Sequence, residues 1–365
     1  MEPAADHRHS DEVLAHLDRL YDPALRRFAC SAESPEEVAA WQDEARPALR
    51  ELIGLTRMES ELAGHSPTVE LDGAEVLDGF TRRLGRIETE PGWSVEFWML
   101  RPEGEGPFPP AVMAHGHEPR GHDTYAGVDG GEERRIRKIA ELDADVAVQA
   151  VKRGFLALAV NTRGWEANCI PDLNERHDGR DCHSQLIHAL VAGRTPIGER
   201  VWDLERVIDW AIEQPEIDAS RILMTGNSGG GMATTYAAAC DTRVTVAVPS
   251  CSFSTYVGEH GLAHHCDCNV VPGIYRFGEF CDVAGLTAPR HLLIVNGRED
   301  PLFPADEVER PVAGVREIYR AAGVPERFEH AWGPEGHRFY AKIMWPWIEA
   351  AFADGAFSDA AADRP

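Results

Sequence analysis

Apolar residues follow two different rhythms along the chain. Near the start they recur every three or four positions: Ser10 can cap a helix carrying Val13, Leu14, Leu17 and Leu20, and Ser34-Pro35-Glu36-Glu37 opens another with Val38, Trp41, Ala45, Leu49 and Leu52. This predicts a helical extension over residues 1–65 that packs on the main domain, with a lid or a contact between copies as alternatives. From about Thr68 the period shortens to two. Thr81 to Glu88, Ser94 to Arg101 (where Val95, Phe97 and Met99 alternate with other residues) and Pro110 to Ala114 read as strands, the first of them antiparallel.

Beyond Ala114 helix and strand alternate. A helix is expected near Asp145 to Arg153, strands at Phe155 to Asn161, Arg221 to Thr225, Val244 to Pro249 and His291 to Asn296, and a last helix from Phe339 to about Phe352. The long helix from Ile197 is the clearest periodic signal, with Val201, Leu204, Ile208 and Ala211 on one face. Such alternation predicts a mostly parallel central sheet with helices on both faces, forming a catalytic domain over residues 66–357. Two stretches interrupt it, 165–195 and 252–286; loops that long commonly cover a pocket. The first ten residues and the Ala/Asp-rich tail 358–365 are expected to be disordered.

Charge and composition narrow the function. A formal net charge of −25 disfavours nucleic acid and anionic membrane surfaces, which need clustered Lys and Arg, and favours small or neutral substrates. The apolar run Phe155 to Val160 is far too short to span a membrane, and the start Met1-Glu2-Pro3-Ala4-Ala5-Asp6-His7 lacks the pattern of a secretory signal, so a soluble cytoplasmic protein is expected, with a homo-oligomer left open. Eight cysteines in 365 residues are too sparse for a disulfide scaffold; most are expected to be reduced and structural.

The chemistry concentrates at Ile222-Leu223-Met224-Thr225, followed by Gly226-Asn227-Ser228-Gly229-Gly230-Gly231 and a helix-compatible run from Met232 to Cys240. Strand, tight glycine turn and helix in that order are what a G-x-S-x-G nucleophile elbow requires, because the strained turn lifts the serine oxygen above the sheet edge. A serine needs a base, and the base an acid to orient it. Asp300 follows the strand His291 to Val295 and is the candidate acid, with Glu299 as its competitor; His337, in the loop Trp332 to His337 before the last helix, is the candidate base, with His330 nearby. The oxyanion donors would be the amides of Gly229 and, from His115-Gly116-His117, of His117 or alternatively Gly116.

With these residues in place the chain resembles the α/β-hydrolase superfamily over about residues 70 to 355, and within it the acetyl xylan esterase-like and dienelactone hydrolase-like branch. The supporting segments are the elbow, His115-Gly116-His117, Arg163-Gly164-Trp165, Gly193-Arg194-Thr195 with Val201-Trp202-Asp203, and Ala288-Pro289-Arg290 leading to Asn296-Gly297-Arg298-Glu299-Asp300-Pro301. The resemblance implies an α/β-hydrolase fold and hydrolysis of a small-molecule carboxylic ester without metal or organic cofactor. A small peptidase or amidase of prolyl-oligopeptidase type, and a noncatalytic binding protein on this fold, are the competing classes.

The acidic helical N-terminus and the insert His264-His265-Cys266-Asp267-Cys268-Asn269 depart from the familiar deacetylases. The insert holds good zinc ligands, yet Cys266-x-Cys268 lacks a second pair at zinc-finger spacing, so no metal is expected and His264 and His265 are assigned to the pocket mouth. Arg163, Trp165 and Arg194 are further substrate-binding candidates, through a guanidinium fork on a carboxylate or an indole against a sugar ring; for the arginines an ion pair holding the loop to the core is equally consistent. Trp202 and Asp203 read as packing and capping residues of the long helix.

Overall fold

The computed structural model describes residues 11–165, 170, 181–258, 261–263 and 265–354. The expectations for Ser10, His264 and the tail lie outside this range. Among the described residues ten strands form one sheet: β1 (Thr68–Leu71), β2 (Glu75–Leu77), β3 (Phe80–Glu90), β4 (Trp93–Pro102), β5 (Pro110–Ala114), β6 (Leu156–Val160), β7 (Ile222–Asn227), β8 (Val244–Ser250), β9 (His291–Gly297) and β10 (Phe328–Gly333). Their order is β1-β3-β4-β6-β5-β7-β8-β9-β10, with β2 beside β3. From β6 to β10 all neighbours run parallel, whereas β1 to β4 form the expected antiparallel opening and β4 pairs antiparallel with β6.

Burial follows from this arrangement. The parallel strands β5, β6, β8 and β9 are buried along their whole length, as helices on both faces require, while β3 and β4 alternate. Ile197, Val201, Leu204, Ile208 and Ala211 all lie in the core from the helix Pro196–Ile212, whose first turn is capped by Thr195 Oγ1 accepting from the Gly198 amide at 3.0 Å. The N-terminal helix Pro35–Leu52 starts as its sequence predicts, with Ser34 accepting from Glu37, and its buried Ala45 and Leu49 join the same core as Ile53, Leu55 and Met58. Arg46 and Arg50 fasten it further by donating to the carbonyls of Ala239 and Cys240 at the end of the helix Gly229–Cys240. In contrast, the helix Asp11–Leu20 leaves Val13 and Leu20 exposed.

Several elements differ from expectation. The stretch 165–195 contains the helix Asp181–Val191, with Cys182, Leu186 and Ala189 buried at helical spacing, and 252–286 contains the helices Ile274–Phe277 and Phe280–Gly285. Glu133–Leu142 is a surface helix that buries only Arg135, so no apolar stripe announced it. The helix Ala305–Ala321 and the strand β10 were also not anticipated: Pro311 interrupts the first pattern, and the second is a short edge strand of mixed polarity. Among the described residues no helix is long and apolar enough to cross a membrane.

Strand register explains where a site can form. β6 lies on one side of β5 and β7 on the other, so the chain direction of the crossovers reverses at the β5/β7 boundary, the place where open α/β sheets leave a crevice beyond their carboxyl ends. Ala114 pairs with Gly226, Asn227 with Ser250, and Gly297 with Gly333. The loops carrying His117, Ser228, Asp300 and His337 therefore leave the sheet along one edge.

Candidate functional site

Ser228 stands between β7 and the helix Gly229–Cys240 with φ 60° and ψ −124°, a conformation an L-residue rarely adopts, and its amide donates to Ser250 O at 2.8 Å. The flanking glycines are required by close approach. A Cβ on Gly226 would lie 2.4 Å from Ala114 O, and one on Gly230 would lie 1.9 Å from the same oxygen. The turn is thus wedged against the end of β5, and Gly116 packs on it too closely for a side chain, since its Cβ would meet Asn227 O at 2.7 Å and Ser228 Cβ at 2.9 Å.

Asp300 is fully buried at its carboxylate and meets His337: Nδ1 of the imidazole lies 2.6 Å from Oδ2, while Oδ1 accepts from the Leu302 amide at 3.0 Å. Of the competing residues, Glu299 is exposed, and His330 lies within β10, where burial lowers its pKa to about 4. The His337 ring stacks on Phe303 with centroids 6.1 Å apart. Cys251 Sγ also comes close to this pair but is engaged with the Arg338 carbonyl at 3.3 Å, and burial pushes its thiol up to about 11.

Ser228, Gly229, Gly116, His117 and His337 line one cavity of about 840 Å³, the size of a small-molecule site. Both interrupting stretches contribute to its wall, through Trp165, Cys182, His265 and Cys266. The Trp165 ring meets the His117 ring edge-on at 4.5 Å, and His265 Nε2 lies 3.1 Å from Thr255 O. Tyr125, which sequence reasoning missed, supports the elbow from below, its hydroxyl accepting from the Asn227 amide at 3.2 Å, with burial pushing the phenol pKa up.

Arg163 and Arg194 do not reach this cavity. Arg163 is buried, donates to Asp203 at 2.5 and 2.8 Å and to Glu90 at 2.6 Å, and lies over the Trp93 ring; Arg194 joins Glu90 at 2.6 Å and Glu61 at 3.1 Å. Of the two readings open at the level of sequence, the ion pair is the one found: Arg163 ties the loop after β6 to Glu90 of β3 and Asp203 of the helix Pro196–Ile212, and Arg194 ties the segment before that helix to Glu90 and to Glu61 of the helix Leu55–Glu61. Asp203 is part of this anchor, and Trp202 packs in the core with Nε1 donating to Thr89 O at 2.9 Å.

A second cluster adjoins the serine. His117, Cys182, Cys266 and Cys268 bring one nitrogen and three sulfurs within 4.8 Å of one another. The matching partners that Cys266 and Cys268 lack in sequence come from the helix Asp181–Val191 and from the loop after β5. The sequence expectation of no metal rested on the missing second pair at zinc-finger spacing; the fold instead sets His117 and Cys182, both distant in the chain, beside Cys266 and Cys268.

No family model matches the sequence. By sequence the chain is 25% identical over 151 residues to YtaP, a candidate hydrolase of Bacillus subtilis (strain 168), covering 40% of this chain and 50% of that protein. It is 25% identical over 268 residues to YuxL, an uncharacterised peptidase of the same organism, covering 70% of this chain and 34% of that one. The chain thus spans half or less of the curated relatives it matches. Similar solved structures include a candidate acetyl xylan esterase from Bacteroides fragilis NCTC 9343, with a TM-score of 0.74 at 19% identity over 95% of this chain and 97% of that one. Methylesterase BT1017 gives 0.66 at 18% identity over 96% and 70%, and a glucuronoyl esterase from Solibacter usitatus 0.61 at 15% over 86% and 93%. Sheet order, the serine turn and these likenesses agree that the chain has the α/β-hydrolase fold.

Proposed function

We propose that the protein is a serine hydrolase that cleaves a carboxylic ester through Ser228, His337 and Asp300. The observation that carries this reading is the single cavity shared by Ser228, His337 and Gly229, with the Asp300 carboxylate 2.6 Å behind the imidazole. Asp300 accepts from Nδ1–H and so leaves Nε2 as the base. Nε2 takes the Ser228 proton as Oγ attacks the carbonyl carbon; the oxyanion is met by the amides of Gly229 and His117; collapse expels the alcohol, which leaves with the proton held on His337. Water then repeats the sequence on the acyl-enzyme, returning Ser228 and releasing the acid.

The esterases among the similar structures support an ester, and their carbohydrate-directed names support an acylated or esterified sugar as the first substrate to try. The likeness to a peptidase over 70% of the chain favours an amide as the second reading. Hydrolysis of p-nitrophenyl esters of increasing acyl length, an acetylated sugar, a lactone and an aminoacyl anilide tests both. Turnover of short esters that vanishes in Ser228→Ala, with the far-ultraviolet circular dichroism unchanged, is the expected result; turnover of the anilide alone promotes the peptidase, and undiminished turnover in Ser228→Ala overturns the mechanism.

A further inference from the structure

We infer that His117, Cys182, Cys266 and Cys268 form a structural Zn2+ site that pins the oxyanion loop to the wall of the cavity. The four donors come from three separate parts of the chain: the loop after β5, the helix Asp181–Val191, and the segment entering the turn Asp267–Asn269. All their donor atoms lie within 4.8 Å of one another. Zn–S bonds of about 2.3 Å and Zn–N bonds of about 2.0 Å make the edges of a tetrahedron roughly 3.5–3.8 Å long, and the His117 Nε2 to Cys268 Sγ separation of 3.4 Å matches such an edge.

Charge supplies an independent argument. Three thiolates around Zn2+ leave a net charge of −1, costly in a buried place unless a cation stands beside it. Arg200 is that cation. It is 2% exposed, its Nε donates to Arg163 O at 3.0 Å and its Nη1 to Asn269 Oδ1 at 3.4 Å, while Nη2 finds no hydrogen-bond acceptor among the described residues and the Cys268 sulfur lies beside the guanidinium. A buried guanidinium beside the cysteine sulfurs is the counter-charge that a thiolate-bound metal demands of its surroundings.

The chemistry of the donors selects the ion. Three soft thiolates and an imidazole in a closed four-ligand set suit zinc and leave no position for a catalytic water, so the site is structural. Binding requires the three sulfurs as thiolates, so any proton still on them is released to solvent. Its geometric consequence reaches the serine. The His117 ring that would hold the metal lies over Gly229, since a Cβ there would meet ring Cε1 and Nδ1 at 3.1 Å, and the preceding residue, Gly116, packs on the elbow, its Cβ position lying 2.9 Å from Ser228 Cβ. Fixing the ring fixes the loop.

The test reads metal rather than turnover, so its failure and that of the esterase reading are distinguishable. The full chain, expressed in zinc-supplemented medium and purified without chelator, should carry about one zinc per chain by inductively coupled plasma mass spectrometry. Cys182→Ser and Cys266→Ser should each lower that content several-fold, whereas Cys30→Ser, outside the cluster, should not. Should the cysteine variants fail to fold, the wild type decides: protein stripped of zinc and loaded with Co2+ should develop intense tetrahedral ligand-field bands and sulfur-to-cobalt charge transfer sized for three thiolates. Background zinc together with no cobalt–thiolate spectrum overturns the site, and so does a disulfide from Cys182 to Cys266 or Cys268 in a non-reducing peptide map of the freshly purified protein.

Discussion

Asp300 and His337 meet at 2.6 Å because Gly297 and Gly333, the last paired residues of β9 and β10, stand side by side in parallel register. Each loop needs only a few residues beyond its strand to bring its side chain to the partner. Glu299 points to solvent although it is one position away, and its amide donates to Glu335 O at 3.0 Å, holding the loop in the orientation that buries Asp300. Asp300→Asn should therefore lower kcat for an ester by about 10³–10⁴-fold through loss of the His337 tautomer, with KM little changed, and Glu299→Gln should remain near wild type. Steady-state kinetics of both variants check this; an equal loss in both would mean that the two carboxylates share the role.

The elbow allows a prediction about stability alone. Gly230→Ala places a methyl 1.9 Å from the Ala114 carbonyl oxygen and 2.9 Å from His115 C, backbone at the end of β5 that cannot swing aside as a side chain could. It should destabilise by more than about 4 kcal/mol or prevent folding, in the class of overpacked cores. Gly73→Ala, whose Cβ meets nothing within 4 Å, is the matched control and should shift the urea midpoint little. Comparable midpoints for the two variants would show that the strand-to-helix turn is looser than its geometry.

What could be read from sequence divides along a physical line. The elbow and the candidate acid follow from local order, since each stands directly after a strand that its own apolar run identifies, Ile222 to Thr225 and His291 to Val295; the candidate base follows from its position before the last helix. The edge strand β10 escaped because a strand with a neighbour on one side only tolerates Glu329 exposed and His330 and Trp332 half exposed. Cys182 escaped for a different reason. Its helix hides in a stretch without strong periodicity, and its value lies in Cys266, Cys268 and His117, which are distant in the chain; pairing at that range is decided by the sheet order, which no short window contains. Arg163 and Arg194 were legible only as charged residues in a loop. Whether a guanidinium faces a ligand or a carboxylate depends on Glu90 and Asp203, one on β3 and one on the helix Pro196–Ile212.

Arg163→Met separates anchoring from substrate binding. Removing the cation strands Asp203 and Glu90 in a buried setting, which costs about 3–5 kcal/mol, and chemical denaturation should show it as a lower midpoint. Among molecules still folded at low temperature, KM for a short ester should be unchanged, because the arginine does not line the cavity. A raised KM with stability intact would return Arg163 to the substrate.

The same network makes stability depend on acid. Burial opposes ionisation of Glu90, but Arg163 and Arg194, which it bridges at 2.6 Å each, outweigh that and hold its carboxyl below the ordinary glutamate value of 4.5. A carboxyl that binds its proton less readily in the folded chain than in the unfolded one stabilises the fold fully above the unfolded value, and loses that contribution as pH falls below 4.5 through the depressed native value. Glu90→Gln keeps the shape and removes the charge. At pH 7 it should lower stability by on the order of 3 kcal/mol. As the buffer is taken from about pH 5 toward pH 3, across the ordinary carboxylate range, wild type should lose stability faster than the variant, and the two unfolding midpoints should converge. Guanidinium titrations at several pH values measure the gap directly: a gap that stays constant into acid would mean that Glu90 acts through its shape and hydrogen bonds, with its charge contributing nothing to the anchor.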